Sequence, residues 1–237
     1  MSRSFKDVKL IPVMMNIKAL LFDFDGTLVD TESLHFNSWN DDLSLFSVSL
    51  TPDVYAQEFS GVSIVTNAKN LIKRCKLDIS LETLVAWRED TYINKIRNSE
   101  IPLMPYVKET LDFFTESGIS LGLVTSSSRT EVDSILEKIK LQNYFKVLVT
   151  RDDVKSYKPD PAPYIKSIKS FGFEASSYLV FEDFISGIRS AKAANLSCLA
   201  INAKPFVLVK LKTEADYAFH NLQHAKNTLL KITCTDV

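Results

Sequence analysis

Five apolar runs of strand length recur along this chain with helix-forming stretches between them, and that alternation confines the chain to a parallel sheet built from βαβ crossovers. The runs cover residues 17–24, 119–125, 146–149, 178–181 and 197–201, with 217–219 as a weaker sixth. Helical stretches at 106–117 and 161–171 each end on a glycine, Gly118 and Gly172, the usual stop for a helix. The first two runs break the rhythm. They lie roughly a hundred residues apart, where one crossover needs only about thirty. The excess reads as helices at 34–46, 52–59, 63–76 and 81–97, the second opened by the capping pair Thr51-Pro52. The expected fold is therefore α/β: a Rossmann-like parallel-sheet core domain, residues 1–32 and 101–237, with an inserted α-helical cap domain at 33–100. Residues 101–105, carrying Pro102 and Pro105, would form a stiff return linker.

The chain's 237 residues suffice for a full core plus such an insertion. Lys and Arg total 28 against 29 Asp and Glu, a formal net charge of -1, which points away from nucleic acid or an anionic membrane as partner. A small-molecule substrate fits better. Cys75, Cys198 and Cys234 are widely spaced and odd in number, suiting neither a disulfide framework nor a zinc site, and read as reduced cytoplasmic cysteines. The apolar stretch 10–15 is short, is broken by Pro12 and runs into Asn16 and Lys18. It reads as neither signal peptide nor membrane span. A loose extension before Asn16, with Met15 as a possible start, and a monomer or weak oligomer are the corresponding expectations.

Chemistry concentrates where the apolar runs end. Asp23 and Asp25 leave the first run two residues apart beside Gly26, at the carboxyl edge where open α/β sheets bind ligands. Two convergent carboxylates suit Mg²⁺, which prefers hard oxygen ligands, and one of them can attack phosphorus. Alone, the pair reads more readily as an acidic surface turn. After the second run, Thr125-Ser126-Ser127-Ser128-Arg129 offers hydroxyls and backbone N–H groups to phosphate oxygens, or simply caps the next helix. After the third, Lys158 precedes Pro159 and offers a compact positive charge; after the fourth come Glu182 and Asp183, with Gly187 beyond. Each signal is weak, but their order, always at a strand's carboxyl end, is not.

These four segments, Asp23-Phe24-Asp25-Gly26-Thr27, Thr125-Ser126, Lys158-Pro159 and Glu182-Asp183, resemble the haloacid dehalogenase superfamily, and the helical insertion resembles the cap of its β-phosphoglucomutase-like branch. The resemblance implies Asp23 as nucleophile and Asp25 as general acid/base. It implies Mg²⁺ on Asp23, Asp25 (by its backbone carbonyl), Glu182 and Asp183, and phosphate on Thr125, Ser126 and Lys158. An acidic residue at position 25 favours phosphoryl transfer over attack on carbon. Ser60 and Ile64 stand where the mutases of this branch carry a basic pair, which favours a phosphatase acting on a small phosphorylated metabolite, such as a sugar phosphate, over a mutase. His35, Arg88 and Arg129 are candidate substrate or cap residues, and Phe184 departs from the small polar residue common after the Glu-Asp pair. Alternatives from another class are a receiver-type phospho-accepting module and a binding protein on a retired enzyme scaffold.

Overall fold

The computed structural model describes residues 16–233. The stretch 10–15 and Cys234 lie outside the described residues. Six parallel strands form one sheet in the order β3-β2-β1-β4-β5-β6: β1 Ala19–Phe22, β2 Ser120–Val124, β3 Phe145–Val149, β4 Tyr178–Glu182, β5 Ser197–Ile201 and β6 Tyr217–Phe219. Both faces are covered, so β1, β2 and β4 are buried at every position and read as continuous apolar runs. Phe22 and Phe181, paired across β1 and β4, stack at 4.7 Å on one face, while Leu21, Val180, Cys198 and Tyr164 fill the other. Among the described cysteines, Cys198 is buried and Cys75 half-buried, both free thiols.

The strand order reverses at β1. From it the chain builds β2 and β3 on one side and β4 to β6 on the other, leaving a crevice beyond the carboxyl ends of β1, β2 and β4.

Between β1 and β2 lie α1 Glu32–Ser44, α2 Pro52–Glu58, α3 Ile64–Cys75 and α4 Leu81–Asn98. Three of these helices start on hydroxyl caps: Thr51, Ser63 and Ser80 each accept from a backbone N–H three residues on. Trp39, Leu43, Tyr55, Phe59, Leu71 and Leu84 give the insertion an apolar cluster of its own. Helix α4 serves both sides, since its Tyr92, Ile93 and Ile96 join the cluster against the sheet. The outgoing and returning chain are tied together: Asp30 N–H donates to the Pro102 carbonyl and Met104 N–H to the Leu28 carbonyl, each at 2.9 Å. That pairing, besides the two prolines, holds the neck.

The core continues with α5 Val107–Glu116, α6 Arg129–Ile139, α7 Ala162–Phe171, α8 Ile185–Ala193, α9 Pro205–Leu211 and α10 Leu222–Thr233. None of the helices among the described residues is long and apolar enough to cross a membrane.

Candidate active site

Directly after β1 the chain turns sharply, with Gly26 N–H donating to the Val29 carbonyl at 2.8 Å and Gly26 at a φ of +82°. A side chain there would be strained, and its Cβ would fall 2.1 Å from Asp183 Oδ2, so glycine lets the first loop close against the loop after β4. That closure brings Asp23, Glu182 and Asp183 together, with one carboxylate oxygen from each within 4.8 Å of the others. Asp25 faces elsewhere. Its Oδ1 accepts from Thr31 Oγ1 at 2.5 Å and its Oδ2 from Ser127 Oγ at 2.7 Å, so the Asp25 carboxylate lies outside the acidic cluster.

Lys158 arrives from the segment after β3, across a cis Lys158–Pro159 bond, and spends its three protons on Asp23 Oδ1 (2.6 Å), Glu182 Oε1 (2.6 Å) and the Val124 carbonyl (2.8 Å). Tyr164 of α7 also donates to Glu182 Oε1, and the Lys158 ammonium lies 5.3 Å from the centroid of its ring. Burial pushes the Asp23 carboxyl up to about 7; Lys158 opposes this and Glu182 adds to it. Asp183 is raised well above the carboxylate range, by burial first and then by the charges of Asp23 and Glu182. One lysine thus faces three crowded carboxylates. Hard oxygen donors with uncompensated negative charge are what a small divalent cation needs. At Asp25 burial also raises, yet hydrogen bonds from His35, Thr31 and Ser127 outweigh it and hold the carboxyl at about 2.

His35 of α1 stands 3.4 Å from Asp25 Oδ1 through Nε2, while its Nδ1 accepts from Arg88 Nη2 at 2.5 Å. A guanidinium only donates, so Nδ1 is the acceptor and Nε2 carries the proton toward Asp25. Tyr92 stacks on the His35 ring at 4.2 Å, and Arg88 is buried over the rings of Tyr92 and Trp39. Thr125 is buried, and its oxygen accepts from Ser127 N–H at 3.0 Å, leaving the hydroxyl proton to donate. A cavity of about 120 Å³ brings these groups onto one surface: Asp23, Asp25, His35, Arg88, Thr125, Ser126, Lys158, Glu182 and Asp183 all line it, as do Ser60, Ile64 and Phe184.

Arg129 belongs elsewhere. Its guanidinium donates to Asp153 Oδ2 at 2.7 Å and to the Leu148 carbonyl at 3.1 Å, and it is absent from the cavity wall, so its charge is spent on the core. Sequence reasoning also missed several lining residues, among them Glu32, Asn67, Glu131 and Arg151, as well as the buried partner Tyr164. Only Glu131 had a local signal, the Ser128-x-x-Glu131 capping box at the start of α6.

The profile of the haloacid dehalogenase-like hydrolases matches residues 20–201. A phosphorylated carbohydrates phosphatase of Thermotoga maritima is 30% identical over 76% of this chain and 82% of its own length. A structure from the same organism, provisionally named a β-phosphoglucomutase, is 26% identical with a TM-score of 0.70, covering 91% of this chain and 99% of that one. The CbbY protein of Rhodobacter sphaeroides, solved in complex with phosphate, shares the fold at a TM-score of 0.77 and 21% identity, covering 87% of this chain and 95% of that one. With the profile spanning most of the described residues, the chain belongs to the haloacid dehalogenase-like hydrolases, a family of enzymes, in their β-phosphoglucomutase-like branch.

Proposed function

We propose that this chain is a cytoplasmic Mg²⁺-dependent phosphatase that hydrolyses a small phosphorylated metabolite, a sugar phosphate, through an aspartyl-phosphate on Asp23. The observation that carries the reading is the separation of two carboxylates two residues apart: Asp23 lies against Lys158 in the acidic cluster, and Asp25 is turned to Thr31, Ser127 and His35. The likeness to a phosphatase of phosphorylated carbohydrates supports the substrate class. Residues 33–100 act as a cap domain over a core of residues 1–32 and 101–237.

In the first step an Asp23 carboxylate oxygen attacks phosphorus, and the bond from phosphorus to the sugar oxygen breaks. Asp25 gives that oxygen a proton. Its carboxyl, held ionised by its hydrogen bonds in the free protein, takes up this proton from solvent as the anionic phosphoryl group arrives beside it, since a nearby like charge favours the neutral form. In the second step Asp25 removes a proton from water, which attacks phosphorus and frees Asp23. Lys158 offsets negative charge at Asp23 throughout, while Thr125 and Ser126 donate to the phosphoryl oxygens. Mg²⁺ would be held by Asp23, Glu182, Asp183 and the Asp25 backbone carbonyl, and when bound it supplies Lewis-acid polarisation and relieves the repulsion between carboxylate and phosphate.

Hydrolysis is favoured over phosphoryl return because Ser60 and Ile64 are uncharged at the two lining positions where the mutases of this branch carry a basic pair, while the lining cations Arg88 and Arg151 are held by His35 and Glu89. A panel of sugar phosphates, assayed with and without Mg²⁺ for both free phosphate and isomerised product, tests the reading. Conversion of β-glucose 1-phosphate to glucose 6-phosphate without phosphate release would replace the phosphatase with a mutase.

A further inference from the structure

We propose that Tyr164 is a positioning residue for the cation: by occupying one oxygen of Glu182 it confines that carboxylate to single-oxygen ligation and so tilts the acidic cluster toward Mg²⁺ and away from Ca²⁺. The proposal rests on the Mg²⁺ reading above and deepens it.

Tyr164 lies in the first turn of α7, fully buried in the apolar cluster that includes Val180, Ile188, Cys198 and Ala200. Packed so, the ring has little freedom to turn away from Glu182, the last residue of β4, and its hydroxyl donates to Glu182 Oε1. Lys158 donates to that same oxygen at 2.6 Å, with its ammonium over the tyrosine ring. A carboxylate oxygen offers two lone pairs, and on Oε1 both are taken. Oε2 receives neither bond. Gly187 restricts the group further: a Cβ there would lie 1.9–2.1 Å from both oxygens and the carbon between them, so the first turn of α8 packs directly against the carboxyl.

What Glu182 has left for a cation is Oε2 alone, and that bears on which cation the cluster takes. Mg²⁺ demands near-octahedral geometry at about 2.0–2.1 Å, whereas Ca²⁺ takes about six to eight oxygens at about 2.3–2.6 Å and accepts carboxylates through both oxygens at once. A two-oxygen grip by Glu182 needs a free lone pair on Oε1, which the Tyr164 hydroxyl holds. Lys158 alone would leave that lone pair open, since its other two protons go to Asp23 and the Val124 carbonyl. A phenol also suits the place better than a second ammonium would. Being neutral, it fills the lone pair without cancelling the negative charge that attracts a cation to Asp23, Glu182 and Asp183.

Calorimetric titration of chelator-treated protein with Mg²⁺ and, separately, with Ca²⁺ tests this through the ratio of the two dissociation constants, which a general loosening of the site would leave in place. Tyr164→Phe keeps the ring and removes only the hydroxyl. It should weaken Mg²⁺ binding by about tenfold or more, as losing the partner of a metal ligand does, and should shift the ratio toward Ca²⁺ by at least that factor, because Ca²⁺ gains the freed oxygen. Glu182→Asp, whose shorter side chain draws the carboxylate out of reach of Tyr164, serves should the phenylalanine variant not fold and should shift the ratio in the same direction. A ratio that stays the same, whether both affinities fall together or neither moves, would overturn the proposal, as would an unsubstituted chain that binds neither cation. p-Nitrophenyl phosphate, given to the unsubstituted enzyme with Mg²⁺, separates the two readings. Phosphate release there with a ratio indifferent to Tyr164→Phe overturns the role of the tyrosine alone; a ratio that shifts as expected without any release upholds that role and overturns the phosphatase.

Discussion

Asp23 and Asp25 are near neighbours in sequence, yet one is pushed up to about 7 and the other held at about 2, because burial is compensated by different partners at each. The proposed roles need the opposite order, a nucleophile held ionised and an acid held protonated, and a divalent cation at Asp23 and an anionic phosphoryl group beside Asp25 would each push in that direction. Asp23→Asn should leave the thermal transition in place and cut phosphate release by about 10³-fold or more, roughly 4 kcal/mol of transition-state stabilisation. Unchanged turnover in that variant would remove Asp23 as nucleophile. Ser127→Ala tests the other carboxylate. Losing the 2.7 Å bond to Asp25 Oδ2 should lower kcat by about tenfold with little change in KM, since the bond orients a proton-transfer group rather than the substrate. A fall in affinity alone would mean Ser127 serves binding. Asp23, Asp25, Lys158 and Asp183 were legible as site candidates because each ends a recognisable strand or follows one at short range. Ser127 as the partner of Asp25, 102 residues away, was not, nor was Tyr164 on Glu182. Arg129 shows the reverse error: nothing near it in sequence says that Asp153, 24 residues on, takes its charge.

At the level of elements, boundaries follow hydrogen bonds that an apolar pattern does not contain. The run 197–201 coincides with β5, but the run 17–24 shrinks to Ala19–Phe22 because Phe24 is already turning, its carbonyl accepting from Leu28 and Val29 N–H. Helix α6 carries a full capping box, Glu131 N–H to Ser128 Oγ and Ser128 N–H to Glu131 Oε2, so Ser128→Ala should cost about 1 kcal/mol in urea unfolding. The turn after β3 adds a pH term. Burial raises the Asp153 carboxyl, but the Thr150 backbone N–H and hydroxyl and the Arg129 guanidinium outweigh it, and the net shift is downward. A carboxyl depressed in the folded state contributes stability that is fully present above its unfolded pKa and is lost as pH falls through the folded one. The window therefore opens near pH 4 and extends below it. Because Arg129 is over a third exposed, the contribution should stay under about 1 kcal/mol. Urea midpoints between pH 5 and 2 should fall less steeply for Asp153→Asn than for the unsubstituted chain; identical slopes would show the pair to be thermodynamically silent.

Across the whole molecule, the insertion and the sheet close one cavity between them. Phe184, after β4, packs flat on Gly61, where an added Cβ would lie 2.4–2.6 Å from three ring atoms, and Ser186 Oγ donates to the Gly61 carbonyl at 3.2 Å. On the opposite side Lys138 Nζ donates to the Ile96 and Arg97 carbonyls of α4. That an insertion exists was legible from the spacing of strands; how it seats was not, because both seams join residues more than forty positions apart. The acidic cluster likewise exists only once β1 and β4 pair, so a cation that binds it binds the folded state alone and must stabilise the entire cooperative unit. At a hundredfold excess over its dissociation constant, Mg²⁺ should add about 2.7 kcal/mol. For a chain of this size that is roughly 5–10 °C in Tm. Asp183→Asn should act twice, in opposite senses. Removing one of three crowded charges should raise the Tm of chelator-treated protein, and removing a ligand should abolish most of the Mg²⁺ increment. Scanning calorimetry of both proteins, with chelator and with excess Mg²⁺, separates these effects. An unsubstituted chain indifferent to Mg²⁺, or a full increment in the Asp183 variant, would place the cation elsewhere than on the ends of β1 and β4.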